Sequence, residues 1–155
     1  MARGASPKRY AQAVFQMALD SSELDGWRSD LRRIAQTITD PQLQGILASP
    51  RIRFEEKASL LAQSLEGVSP LALNLASLLV VRGHLGIAEG IADEYDRLLD
   101  AERGIEQAEV TTAISLDDRS KERVAQKLGE LRGKTVIVET RVDSDVIGGM
   151  VARIG

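Results

Sequence analysis

Histidine and cysteine, two residue types common in catalytic and metal sites, are nearly absent from this chain. His84 is its single histidine and it has no cysteine, which excludes thiolate zinc sites, iron–sulfur clusters, cysteine nucleophiles and two-histidine metal sites. His84 lies in the run Gly83-His84-Leu85-Gly86, between two predicted helices rather than after a strand. Because the chain has no G-x-x-x-x-G-K-[ST] sequence, we interpret this run as an interhelical turn and not as a phosphate-binding loop.

Asp143 and Asp145 lie two positions apart in a predicted turn, so both carboxylates could reach one magnesium or calcium ion. Aspartates are also common in turns, where their side chains bond the backbone two positions on. No further carboxylates cluster around this pair, so we favour the turn and keep a metal-dependent enzyme as a minor alternative. With no other catalytic grouping in the sequence, we expect no enzyme activity, no cofactor and no metal.

The composition is that of a globular protein with an aliphatic core. Of the 155 residues, 43% are hydrophobic, 28% are charged and 3% are aromatic, which favours helices built from Leu, Ile, Val and Ala. The net charge of -3 argues against nucleic-acid binding, which needs a net basic face. No apolar run reaches the roughly 18 residues of a membrane span, and no export signal is evident. We expect a soluble chain that faces the cytosol.

Proline after a capping residue predicts the start of three helices. These pairs are Ser6-Pro7, Asp40-Pro41 and Ser69-Pro70. The second helix of the chain has the clearest amphipathic spacing, because its apolar residues recur at steps of three and four. They are Leu24, Trp27, Leu31, Ile34 and Ile38.

Three more features complete the helical part of the chain. The fourth helix should begin near Phe54, and the sixth should carry Ile87 and end at Gly104. The fifth helix, which Gly83 should end, is apolar on most of its faces. Such a helix lies centrally in a protein or presents a surface to a partner.

After the sixth helix the period of the sequence changes from helical to strand-like. Residues 110–114 are rich in β-branched side chains, and residues 135–142 alternate between two faces, so both segments predict strands. Between them, Asp117 and Gly133 delimit one helix. A third short strand should run from Val146 onward.

The predicted fold class is therefore mainly α, with two domains. Residues 1–104 should form a six-helix bundle, and residues 105–155 a small, incomplete α/β unit with the order β-α-β-β. A domain below about 60 residues buries so little surface that it is only marginally stable alone. We therefore expect the second domain to depend on a neighbour.

The apolar positions of the first and fifth helices suggest a binding groove. They are Tyr10, Ala13 and Val14 on the first helix, and Leu78, Leu79 and Val81 on the fifth. If they are partly uncovered, they would form a groove for an amphipathic helix from another chain. The alternative is that all of them belong to the core.

Several segments resemble one known family. Residues 103–116 read R-G-I-E-Q-A-E-V-T-T-A-I-S-L, and residues 139–155 read E-T-R-V-D-S-D-V-I-G-G-M-V-A-R-I-G. Residues 8–15 read K-R-Y-A-Q-A-V-F, and residues 82–85 read R-G-H-L. Together they are similar to the delta subunit family of the F-type ATP synthase, called the oligomycin-sensitivity-conferring protein in mitochondria. The carboxyl-terminal motif is the most specific of these segments.

The resemblance implies a non-catalytic stator subunit, one copy per complex, that couples rotor torque to ATP synthesis and hydrogen ion transport. Residues 1–104 would bind the amino-terminal helix of an alpha subunit in a groove between the first and fifth helices. Residues 105–155 would contact the b subunits of the peripheral stalk. The implied contact residues are Tyr10, Ala13, Val14, Leu78 and Leu79. The subunit would lie at the cytoplasmic face of the bacterial cell membrane, held there only through the complex.

The carboxyl-terminal end departs from the family pattern. Family members usually continue past the I-G-G segment with a further strand and a helix, whereas this sequence stops at Gly155. We therefore expect an unfinished sheet edge, with fast hydrogen exchange in residues 136–142 when no partner is present.

An alternative outside this family is an RNA-binding antitermination-type helical domain. It would need a basic stripe, for which Arg28, Arg32 and Arg33 are the best available residues. The neighbouring Asp25 and Asp30 lower the net positive charge of this stripe, which makes RNA binding the weaker interpretation.

Overall fold

Residues 4–155 are described by a computed structural model. They are mainly helical with one small mixed sheet, which confirms the predicted class in outline. The chain divides between Leu99 and Asp100 into two compact units, called here unit 1 and unit 2. The expected boundary after residue 104, and the role given to each domain, remain predictions.

The helices of the first part of the chain follow the predicted order. They are α1 (Pro7–Ser21), α2 (Leu24–Ile38), α3 (Pro41–Ala48), α4 (Phe54–Ser64), α5 (Pro70–Arg82) and α6 (Ala88–Glu102). A 3-10 turn at Leu85–Ile87 precedes α6, so Ile87 lies in this turn and not in the helix as expected.

Two of the three helices predicted to begin at a proline have side-chain caps at that end. Asp40 accepts hydrogen bonds from two backbone amides of α3, and Ser69 accepts one from α5. Ser6 precedes α1 as predicted, but its hydroxyl makes no capping bond. Its backbone carbonyl instead accepts the amides of Arg9 and Tyr10, which is enough to begin a helix whose first residue, proline, has no amide to satisfy.

A buried tyrosine joins three helices of unit 1. The side chain of Tyr95 on α6 is fully buried, and its hydroxyl donates a 2.7 Å hydrogen bond to the carbonyl of Leu24 at the start of α2. Its ring meets Phe15 of α1 edge-on, with 5.7 Å between the ring centroids. Trp27 is buried in the same core. These contacts fix α1 against its neighbours and therefore fix the position of its exposed face.

Unit 2 has the predicted β-α-β-β order. Its elements are β1 (Ile105–Thr112), α7 (Asp118–Arg132), β2 (Thr135–Val142) and β3 (Met150–Ile154). The sheet order is β2-β1-β3, with β1 parallel to β2 and antiparallel to β3. Asp117 caps α7 through a 2.7 Å bond from the Ser120 amide, and Gly133 ends it with a φ of 66°, as the sequence predicted.

The third strand begins at Met150, so the prediction of a strand from Val146 onward is wrong for its first part. Gly148 and Gly149 have φ values of 60° and 118°, in the left-handed region that glycine adopts without steric cost. This backbone cannot continue a strand. The two glycines therefore turn the chain back towards β1 before β3 can pair.

Only part of the sheet face beneath α7 is covered. Ala108, Val110 and Val136 are buried there. At the other end of the same face, Thr112 lies between Val142 and Met150, and both of these side chains are about half exposed. Unit 2 therefore keeps apolar surface open at one end of its sheet.

Candidate protein-binding site

The joint between α5 and α6 places His84 against the start of α1. Gly83 ends α5 in the left-handed conformation, with a φ of 66°. The turn brings the amide of His84 within 2.8 Å of the Leu79 carbonyl, which satisfies one of the last carbonyls of the helix. The imidazole Nδ1 then lies 3.1 Å from the hydroxyl of Tyr10. A single glycine turn thus joins the end of α5 to α1.

An open cleft lies at this junction. Its volume is about 420 Å³, within the range of protein ligand sites. Its lining residues come from the segment before α1, from α1 itself, and from the end of α5. They are Gly4, Ala5, Ser6, Arg9, Tyr10, Ala13, Arg82 and His84.

The five expected contact residues fall into two groups. Tyr10 and Ala13 line the cleft, and Leu78 is 41% exposed on α5. In contrast, Val14 and Leu79 are only 4% and 1% exposed and belong to the core of unit 1. Their part in binding stays a prediction, and in the free chain these two residues support the surface rather than form it.

The fifth helix explains why the sequence could not separate these groups. Its inward side carries Ala72, Ala76 and Leu79, all buried, while Leu71 and Leu78 are exposed and seven residues apart on one side of the helix. Both sides are apolar, so hydrophobic spacing alone has no contrast from which to choose the inward side. Val81, 63% exposed, adds further apolar surface to α5.

Two of the three arginines in the basic stripe of α2 are neutralised by acidic residues of α6. Arg28 Nε lies 3.0 Å from Asp96, and Arg32 contacts Asp96 at 2.6 Å and Asp93 at 3.1 Å. Hydrogen bonds to Asp96 and Asp93 raise the pKa of Arg32 above its usual value. Cations paired in this way are not free to neutralise phosphates. The observation removes the main support for the RNA-binding alternative.

A second charged cluster lies in unit 2. Glu106 of β1 accepts hydrogen bonds from Arg132 at 2.9 Å and from Lys134 at 3.0 Å. These bonds lower the pKa of Glu106 from 4.5 to about 2. The cluster links the end of α7 to β1, and we interpret it as a structural tie.

The aspartate pair lies in a tight turn. The carboxylate of Asp143 accepts a 3.0 Å hydrogen bond from the amide of Asp145, which is the local bonding expected of aspartate in turns. Among residues 4–155, no group of three or more His, Asp or Glu side chains is placed to share a metal ion. In the same part of the chain, no helix is long and apolar enough to cross a membrane.

Comparison with known proteins identifies the family. The family model described as ATP synthase delta (OSCP) subunit matches residues 7–155. The ATP synthase subunit delta of Dehalococcoides mccartyi is 38% identical over 147 residues, which cover 95% of this chain and 81% of that protein. The ATP synthase subunit delta of Desulforamulus reducens is 36% identical over 157 residues, which cover 100% of this chain and 87% of that one.

A solved structure has a similar fold. One chain of the cryo-EM structure of the Toxoplasma gondii mitochondrial ATP synthase hexamer superposes with a TM-score of 0.65 and 22% identity, over 95% of this chain and 84% of that one. At this identity the likeness concerns the fold alone. The family match over residues 7–155 and the two bacterial relatives show that this chain belongs to the ATP synthase delta (OSCP) subunit family.

Proposed function

We propose that this chain is the stator subunit that links the alpha-beta catalytic head of an F-type ATP synthase to the b subunits of its peripheral stalk. One copy in each complex holds the head against the torque of the rotor, so that rotation drives ATP synthesis. The subunit performs no reaction itself. It stays at the cytoplasmic face of the bacterial membrane through the complex. The observation that carries this proposal is the cleft between the start of α1 and the end of α5.

In this proposal, the amino-terminal helix of an alpha subunit binds along α1 and α5. Exposed apolar residues on both helices support the idea, because a helix that binds in a groove inserts side chains spaced by three, four and seven residues. On α1 they include Ala13 and Met17, and on α5 Leu71 and Leu78. The buried Val14 and Leu79 would hold this surface in shape from below.

Unit 2 is proposed to bind the b subunits. Val142 and Met150 flank Thr112 on one sheet face, and both are about half exposed. Ile147, in the loop before β3, is almost fully exposed. Exposed large apolar side chains near one another in this way are typical of protein–protein contacts. The RNA-binding alternative has no comparable support, since two of its three best cations, Arg28 and Arg32, are paired with aspartates.

A matched pair of charge substitutions tests the groove. Leu78 on α5 and Ile46 on α3 are 41% and 40% exposed, so both accept an aspartate with similar cost to the fold. Covering the exposed two-fifths of Leu78 on binding is worth about 0.6–1.2 kcal/mol, from about 1.5–3 kcal/mol for a whole side chain. An aspartate there loses this term and must also be desolvated. Leu78→Asp should therefore weaken binding at least about tenfold.

The probe is a synthetic peptide of the amino-terminal segment of the alpha subunit from the same organism, titrated calorimetrically into the chain. Circular dichroism and the fluorescence of the single tryptophan should show that both variants are folded. The proposal expects weaker binding for Leu78→Asp and unchanged binding for Ile46→Asp. Equal affinity for all three proteins, or no binding by the wild type, would refute the groove.

A further inference from the structure

The cleft at the junction of α1 and α5 is basic, although the protein as a whole is acidic. Its described lining includes two arginines and the histidine, and none of its eight residues is an aspartate or glutamate. The chain as a whole carries a net charge of -3. The cleft is therefore a local region of positive charge on one end of unit 1.

Neither arginine of the cleft has an internal partner among residues 4–155. Within residues 4–155, neither Arg9 nor Arg82 has a carboxylate oxygen within 4.0 Å of its guanidinium, and neither guanidinium hydrogen-bonds another described group. Arg28, Arg32 and Arg97 of unit 1, in contrast, are each paired with an acidic side chain. The charge of the cleft is thus available to a ligand.

The two arginines also occupy equivalent places on the two helices. On α1, Arg9, Ala13 and Met17 recur at four-residue steps, so they lie along one side of the helix. On α5, Leu71, Leu75, Leu78 and Arg82 recur at steps of four, three and four. Each helix therefore has an apolar stripe that ends in an arginine, and both arginines line the same cleft.

We propose that the helix bound along α1 and α5 is selected by charge, through a carboxylate at the end of its apolar face that pairs with Arg9 and Arg82. This inference rests on the proposed groove and specifies the chemistry of its ligand: an amphipathic helix with an acidic end. The apolar stripes would supply most of the affinity. The arginine pair would fix the direction and register of the helix, because a charge at the rim of an interface orients a partner more than it strengthens binding.

The test combines charge changes in the chain with charge changes in the peptide. The chain is titrated with the alpha-subunit amino-terminal peptide and with a second peptide in which every Asp and Glu is replaced by its amide. The variants are Arg9→Gln and Arg82→Gln. The control is Arg51→Gln, because Arg51 is exposed between α3 and α4 and its side chain makes no ion pair among the described residues.

Each cleft variant should weaken binding of the acidic peptide about threefold to fivefold, the effect of one partly exposed charge pair. It should leave binding of the amide peptide unchanged, and Arg51→Gln should change neither. Higher salt should reduce the difference in affinity between the two peptides, because salt screens exposed charges.

Two outcomes separate this inference from the groove itself. If the peptides bind equally well and Leu78→Asp still weakens both, the groove stands and the charge selection is wrong. If neither peptide binds the wild-type chain, the groove and the selection both fail. If the arginine variants lose affinity equally for both peptides, the charge selection is also wrong, because the arginines would then act through the structure of the cleft.

Discussion

Replacing Gly129 with alanine should weaken unit 2, although alanine is the better helix former. Gly129 lies inside α7, and the chain folds back on it after the helix, because the amides of Gly133 and Lys134 both donate to its carbonyl. A Cβ atom at this position would lie 2.8 Å from the backbone oxygen of Lys134. A backbone atom cannot rotate away as the end of a flexible side chain can. The loop must therefore shift if the substitution is made.

Two opposing effects set the size of the change in the stability of unit 2. Alanine in place of glycine inside a helix stabilises the helix by about 1 kcal/mol. Extra atoms forced into a close contact cost about 1–3 kcal/mol. The cost of the close contact should exceed the gain in helix propensity, and we expect Gly129→Ala to lower the free energy of unfolding of unit 2 by about 1 kcal/mol.

Gly26 provides the matched control. It also lies inside a helix, α2, but a Cβ atom there would meet nothing within 4 Å. Gly26→Ala should therefore stabilise unit 1 by about 0.5–1 kcal/mol through helix propensity alone.

The two units need separate probes, because a chain with two units need not unfold in one step. Hydrogen exchange of the β2 amides reports on unit 2. Urea titration followed by tryptophan fluorescence reports on unit 1, which contains the only tryptophan. Slower β2 exchange in Gly129→Ala than in the wild type would show that the close approach does not matter and would refute this reasoning.

Three further predictions follow from the packing and the charges. Tyr95→Phe should destabilise unit 1 by about 1–2 kcal/mol, because it leaves the Leu24 carbonyl without its buried partner; an unchanged urea midpoint would contradict this. Leu79→Ala should cost about 2–5 kcal/mol in the same assay, since Leu79 is 1% exposed, and a loss below 1 kcal/mol would place that residue outside the core. The folded-state pKa of Glu106 is about 2, lowered from 4.5, so its ionised form stabilises unit 2 fully above pH 4.5 and progressively less as the pH falls towards 2. In hydrogen exchange over that range, Glu106→Gln should show a smaller acid dependence than the wild type, and identical pH profiles would contradict it.

Local chemistry made much of the fold predictable. Helix boundaries depend mainly on neighbouring residues, so the sequence could predict them. The structure has a helix start after each of the three proline pairs and after Asp117, and a helix end at Gly83 and at Gly133. The start of β3 was misplaced because the left-handed conformations of Gly148 and Gly149 were not recognised as a break. A strand pattern cannot show which φ a glycine adopts.

The candidate site was less accessible to sequence reasoning. Hydrophobic spacing identified α1 and α5 as the helices of interest, but it could not separate the buried Leu79 from the exposed Leu78, because both sides of α5 are apolar. It also missed Arg9 and Arg82. These residues are 73 positions apart in the sequence, and only the tertiary packing of the end of α5 against α1 brings them to one cleft.

In the proposed stator role, one chain holds the head and the stalk at the same time. Sedimentation velocity tests this role when the chain is mixed with the alpha-subunit amino-terminal peptide on a carrier protein and a carboxyl-terminal segment of the b subunit. The stator proposal predicts one complex that contains all three components, with Leu78→Asp losing only the alpha peptide and Met150→Asp losing only the b segment. Partners that exclude each other, or a chain that binds neither, would contradict the stator role.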